Sequence, residues 1–266
     1  MSLIALSDRL FDFQSIYNFR DFGGYAAADG ARVKTGHLFR SAHLNNLNDS
    51  ELGTIGDLDI GLIVDLRHAP ERKRQPSRLP DTPPLVFEFP DPPETQHDAV
   101  APHEAFMQND LQTPDDSYQY MMRSYTARPD DAGFQAIFKD TLLHLIDDQD
   151  RKGVLVHCAA GKDRTGTLVA LIQGLLGVSK DDILHDYMLT MEAVDIDKML
   201  EPAAQMFTQR YGRPIAPEAI RPMFSVAPEY LEASLGKMGD MTDYTKNVLK
   251  LSSQDIDLLR QIYLEN

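Results

Sequence analysis

The chain has 266 residues, 42% hydrophobic and 25% charged, an ordinary balance for a globular protein able to bury a sizeable core. Lys and Arg total 26 against 41 Asp and Glu, a formal charge of −15, which argues against nucleic acid as the main partner because duplex binding depends on basic surface. A lone cysteine excludes an internal disulfide, and no apolar run reaches the roughly eighteen residues of a membrane span.

The opening MSLIALSDRLFDFQ lacks the basic n-region and apolar core of a secretory signal, so a cytoplasmic location is expected, compatible with export by a signal-independent route. Short apolar runs at 37–41 (HLFRS), 60–66 (IGLIVDL), 85–89 (LVFEF) and 153–157 (GVLVH) read as strands. Between them, Phe134, Ile137, Phe138, Leu142 and Leu145 make one face of a helix. Segment 91–131, rich in Pro, Asp and Gln, has weak periodicity outside SYQYMMRSY and is a candidate lid or insertion over a site. After Thr167 the pattern is helical almost to the end, through LVALIQGLLG, KDDILHDYMLTMEAVDIDKML, PEYLEASLGKM and SSQDIDLLRQIYLEN. Strands alternating with helices predict an α/β fold around a mostly parallel sheet, with a helical C-terminal half. No linker divides the chain, so residues 1–266 read as one domain.

The stretch VLVHCAAGKDRTG, 154–166, places Cys158 just after a strand and just before a helix. Open α/β sheets bind ligands at the carboxyl ends of their strands. Backbone amides of Ala159, Ala160 and Gly161, at the positive end of the following helix, would form a cradle for an anion. Thiols in such places are readily ionised. The spacing from Cys158 to Arg164 lets the loop curl until a planar fork of donors meets a tetrahedral oxyanion. A thiolate beneath a phosphate so held is a nucleophile for covalent phosphoryl transfer. An ATP-binding loop is excluded, since it needs glycine at Val156 and Ser or Thr at Asp163. With no second cysteine and no HExxH pair, no metal or other cofactor is expected.

HCAAGKDRTG resembles the signature of the cysteine-dependent protein tyrosine phosphatase superfamily, and its Lys-Asp pair is similar to the mycobacterial type of bacterial tyrosine and phosphoinositide phosphatases. NFRDFGGY (18–25), FRS (39–41), VDLR (64–67), DYMLT (186–190) and the tail 227–264 resemble the family's other blocks, so the likeness spans nearly the whole chain. It implies a protein tyrosine phosphatase-like fold with a four- to five-stranded sheet, and phosphotyrosine peptides or phosphoinositides as substrates. It makes Cys158 the nucleophile, Arg164 the phosphate clamp, Thr165 a hydrogen-bond donor to the departing thiolate and His157 a buried support of the loop. Gly161 and Gly166 meet backbone demands, curvature and close packing. Lys162 adds a second cation, which suits a multiply phosphorylated inositol.

The leaving oxygen needs a general acid. Three carboxyls compete: Asp163 inside the loop, Asp65 at a strand end, with an ion pair to Arg67 or Arg40 as its structural alternative, and Asp91 in FPDPP. Asp163 is preferred and Asp65 comes second. The basic run from Arg67 to Arg78 is a candidate steering patch for anionic headgroups or transient contact with a membrane surface. No obligatory protein partner is evident. The expected function is a phosphatase acting through phosphocysteine. The competing class is a phosphate- or phosphoinositide-binding module with little turnover, with a sulfur-transfer or thiol-redox enzyme more distant.

Overall fold

The computed structural model describes residues 9–91 and 100–266. Its strands are β1 (Arg20–Asp21), β2 (Arg32–Val33), β3 (Leu38–Ser41), β4 (Ile60–Asp65), β5 (Leu85–Glu88), β6 (Gly153–His157) and β7 (Leu264–Glu265). The first helices are α1 (Asp49–Asp57), α2 (Ala69–Arg74), α3 (Pro102–Asn109), α4 (Pro114–Ala127), α5 (Ala132–Asp147) and α6 (Asp163–Leu175). They are followed by α7 (Lys180–Met188), α8 (Thr190–Ala193), α9 (Ile196–Tyr211), α10 (Pro217–Phe224), α11 (Pro228–Met238), α12 (Met241–Asn247) and α13 (Ser253–Tyr263).

The central sheet has five strands in the order β1-β3-β6-β4-β5, all neighbours parallel except β1 against β3. This is the mostly parallel sheet that the sequence predicts. Its strands are apolar on both faces for a simple reason: successive side chains enter different cores. Leu38, Leu62, Val64, Val154 and Val156 join one cluster with Phe138, Leu142, Leu168 and Leu231. Phe39, Ile63 and Leu155 join the other with Ile16, Phe19, Leu44 and Ile55. Each such side chain, fully buried, contributes about 1.5–3 kcal/mol. Helix α6 lies inside the first cluster and buries Leu168 to Ile172 without interruption.

Three stretches differ from expectation. Within 91–131, residues 92–99 lie outside the described residues, but α3 and α4 are regular helices. Thr113 caps α4 by accepting from Asp116 N, Asp116 closes a capping box, Pro114 fills the first turn, and the helix runs on through SYQYMMRSY, the part of the segment with periodicity. The long helical stretch from Lys180 breaks after α8, where Asp195 caps a new helix. The last helix stops at Tyr263, because Leu264 and Glu265 pair antiparallel with Val33 and Arg32. A two-residue strand such as β1 or β7 is too short to show alternation.

Candidate active site

Strand β6 lies between β3 and β4 and delivers Cys158 to the carboxyl edge of the sheet. Cys158 is buried, at the floor of a cavity of about 790 Å³. Ala159, Ala160, Lys162, Asp163 and Arg164 line the same cavity. Among the described residues, none of the amides from Ala159 to Arg164 donates to another protein group, and α6 begins immediately beyond them. Gly161 turns the loop at φ 67°, and a Cβ there would sit 2.2 Å from the Ser41 carbonyl oxygen. No other residue fits at that turn.

Arg164 is held from behind by Glu71 of α2: Nη1 donates to Oε2 at 2.6 Å, Nη2 to Oε1 at 2.8 Å, and Nη1 also to the Leu66 carbonyl at 3.1 Å. Burial opposes the guanidinium's charge, but Glu71 outweighs it and raises the Arg164 pKa, with Cys158 and Asp163 acting in the same sense. Burial likewise opposes the Glu71 carboxylate, yet the Arg164 charge and its hydrogen bonds hold Glu71 well below the usual carboxylate range. A clamp of one fixed orientation results.

Asp163 opens α6. Its Oδ1 accepts from Tyr125 Oη and from Lys162 Nζ, both at 2.7 Å, and among the described residues no donor reaches Oδ2. Tyr125 is fully buried on α4 and shares a 2.7 Å hydrogen bond with Tyr187 Oη. Burial, reinforced by the Asp163 charge, raises the Tyr125 pKa far above its ordinary value, so this phenol remains a donor. Arg128 stacks over the Tyr125 ring at 4.3 Å and donates to the Asp163 carbonyl. Lys162 is neither solvated nor free: Nζ also donates to the Ser225 carbonyl just past α10, at 3.1 Å.

The chain matches the tyrosine phosphatase family model over residues 11–265. It belongs to the tyrosine phosphatase family. It is 31% identical over 220 residues to the triple specificity protein phosphatase PtpB of Mycobacterium tuberculosis, covering 77% of this chain and 76% of that one. A putative tyrosine-protein phosphatase of Cupriavidus necator is 29% identical over 265 residues, covering 95% and 87%. Among solved structures, P. aeruginosa TpbA overlaps 76% of this chain and 96% of its own with 16% identity and a TM-score of 0.32, a likeness too distant to bear on the site. The protein is a phosphatase, a hydrolase of phosphorylated substrates.

Within this phosphatase, the loop residues named from sequence stand together, and the outlying candidates do not. Asp65 is absent from the cavity wall; Arg67 takes both of its oxygens at 2.9 and 2.7 Å, and His157 Nε2 lies 3.6 Å away. Burial opposes the Asp65 carboxylate, but His157 and Arg67 keep its pKa below the ordinary value, the opposite of what a proton donor needs. It sits as the structural bridge weighed above. Asp91 accepts from Ala69 N at 2.7 Å and pairs with His68 at 2.8 Å, in an adjoining cavity of about 300 Å³ that shares His68, Pro102 and Asp131 with the first. His157 is fully buried against the Cys158 carbonyl. Thr165 is buried with Oγ1 unpartnered among the described residues, and Gly166 lets the Tyr187 ring approach to 2.9 Å of where a Cβ would stand.

The basic run is largely occupied. Arg67 pairs with Asp65, Arg72 with Glu88 and Asp91, Arg74 with Glu104 and Arg78 with Asp49, while Lys73 remains exposed. It offers little free charge for steering. Sequence reasoning missed Glu71, Tyr125 and Arg128. Glu71 hides in the charge run, and a tyrosine on a helix reads as core until its hydroxyl is located.

Proposed function

We propose that this phosphatase attacks phosphate monoesters with the Cys158 thiolate and uses Asp163 as its proton donor. The carrying observation is the convergence of Cys158, the unpaired loop amides, Arg164 and Asp163 on one cavity. The sulfur forms a bond to phosphorus as the P–O ester bond breaks, and Asp163 protonates the departing oxygen. Water then attacks the phosphocysteine and gives its proton to Asp163; the S–P bond breaks, inorganic phosphate leaves and the thiolate returns, with Thr165 Oγ1 near enough in sequence to turn toward it.

The cavity extends well beyond a phosphate. Met107, Met199, Met206, Phe207 and Phe224 line it as well, together with Arg74, Arg123 and Arg210. Arg74 and Arg210 share Glu104, which also lines the cavity, so two cations face one carboxylate there. An apolar wall with that excess charge suits esters whose phosphate sits on a bulky body, a phosphotyrosine peptide or an inositol phospholipid. The triple specificity named for the mycobacterial relative supports a broad range. A binding module would need the cradle but neither the thiol nor a carboxyl beside it.

Leaving-group dependence tests the assignment. Asp163→Asn should lower kcat about 10²–10⁴-fold on an alkyl or inositol phosphate, yet far less on an aryl phosphate with an acidic phenol that departs unaided. Equal loss on both, or a leaving-group effect in Asp91→Asn instead, would overturn Asp163 as the acid. Acid-quenched enzyme should carry phosphate on Cys158 by peptide mass spectrometry.

A further inference from the structure

Behind the phosphate loop, away from the cavity, three arginines share one carboxylate. Arg40 Nη1 donates to Asp186 Oδ2 at 2.6 Å, Arg20 Nε lies 3.4 Å from Oδ1 and Arg9 Nη1 lies 3.6 Å from it. All four side chains are at most 3% exposed. Burial and the neighbouring Arg40 lower the Arg20 pKa to about 10 despite Asp186, a sign of how crowded the positive charge is. Two groups of this cluster reach forward to a single loop atom. Asn18 Nδ2 donates to the Gly161 carbonyl at 2.9 Å and Arg40 Nη2 to the same oxygen at 3.0 Å. The Asn18 Oδ1 accepts from Arg20, and Asn18 holds its place with a left-handed backbone, φ 62°. Neither Asn18, Arg20, Arg40 nor Asp186 lines the cavity.

We propose that Asn18, Arg20, Arg40 and Asp186 form a positioning device that sets the Lys162 amide for the reacting phosphoryl group. This rests on the reading of residues 158–164 as the phosphoryl-binding loop. In a trans peptide the C=O and the next N–H point in opposite directions. Two donors behind the loop pin the Gly161 oxygen outward, so the Lys162 N–H is turned inward. The same pinning fixes the peptide at the one residue whose positive φ sets the loop's curvature. Arginines outnumber the carboxylate, so the cluster also presents net positive charge to the back of the loop. The blocks NFRD, FRS and DYMLT, far apart in the sequence, meet here because each supplies one part of the device.

The test uses the whole chain and two substitutions of Asn18. Asn18→Gly keeps the left-handed backbone while removing the donor, and Asn18→Asp keeps the shape while replacing donor by acceptor. The readouts are inhibition constants for orthovanadate and inorganic phosphate, kcat and KM on an aryl phosphate, and thermal midpoint. Losing one preorganised oxyanion donor lowers kcat about 10²–10³-fold where it has been removed outright, so a loosened one should cost about tenfold or more. The vanadate constant should rise by a similar factor and more than the phosphate constant, since vanadate takes the five-coordinate geometry of the transition state. An inhibition constant does not depend on how much protein is folded, so loss of fold alone leaves it unchanged. Unchanged vanadate inhibition with a lowered thermal midpoint would overturn the proposal and leave the cluster a purely structural one. Turnover surviving Cys158→Ser would instead overturn the reading of the loop itself.

Discussion

Replacing Glu71 with Gln isolates the hold on Arg164. The substitution keeps the shape and one carbonyl oxygen but removes the charge from a pair whose side chains are 4% and 13% exposed. Two charge-assisted hydrogen bonds of 2.6 and 2.8 Å are at stake, each worth about 1.5–3 kcal/mol. Outright breakage of a buried pair costs about 3–5 kcal/mol, and Gln retains one neutral bond, so a loss of about 2–3 kcal/mol is expected. For a chain of this size that lowers Tm by roughly 4–12 °C. Freed of its brace, the guanidinium samples orientations other than the one aimed at phosphate, and kcat/KM should fall about 10–100-fold, as misplacement by an ångström does elsewhere.

The assay measures kcat/KM on an aryl phosphate and Tm with and without inorganic phosphate. In the variant a bound phosphate replaces the missing anion beside Arg164, so it should restore more of the Tm than it adds to the parent protein. Wild-type kcat/KM alongside a lowered Tm would refute the positioning argument and leave Glu71 an ordinary buried ion pair. No change in either would refute the energetics as well.

Three other substitutions test separate parts of the site. Cys158→Ser should abolish phosphate release while equilibrium binding of inorganic phosphate persists, because the amides and Arg164 remain. Lys162→Ala should depress activity on a multiply phosphorylated inositol more than on a simple aryl phosphate if the third N–H of its ammonium serves a second phosphate; uniform loss would assign Lys162 to anchoring Asp163 and Ser225. Burial, aided by Arg164 and opposed by Glu71, lowers the His103 pKa from 6.5 to about 4. Between those values the unfolded chain binds more protons, so stability falls as pH drops from 6.5 toward 4, and His103→Gln should flatten the fall in Tm across that window.

The parts of this fold that show in the sequence are those whose signal is local. β4 and β6 appear as apolar runs because both of their faces are covered, and Cys158 and Arg164 appear because their spacing is a property of one loop. The braces do not show, because each depends on two distant segments meeting. Glu71 looks like one more charge in a basic run until Arg164 is placed 2.6 Å away. Tyr125 ends SYQYMMRSY, the periodic part of its segment, and only its hydroxyl on Asp163 separates it from a core tyrosine. The two leading acid candidates, Asp65 and Asp163, are equally acidic on paper. Their surroundings differ, since Arg67 closes around both oxygens of Asp65 while Asp163 lines the cavity, which is the ground for proposing Asp163 as the acid.

The braces share a physical origin. A loop that keeps its amides for an anion cannot use them to hold its own shape, and ordering each residue costs about 1–2 kcal/mol in backbone entropy. The order has to come from outside. Glu71 fixes the guanidinium of Arg164, Tyr125 fixes Asp163, Asn18 and Arg40 fix the Gly161 carbonyl, and the His43 amide donates to the Ala159 carbonyl at 3.1 Å. Several of these braces are charged and buried, so cations outnumber carboxylates around the loop although the chain as a whole carries −15. An acidic protein repels phosphate esters over most of its surface. Here Lys162 and Arg164 stand in the loop, Arg128 donates to the Asp163 carbonyl and Arg40 reaches the Gly161 carbonyl from behind, and Asp163, Glu71 and Asp186 answer part of that charge, so the groups that brace the loop also leave cations in excess around it.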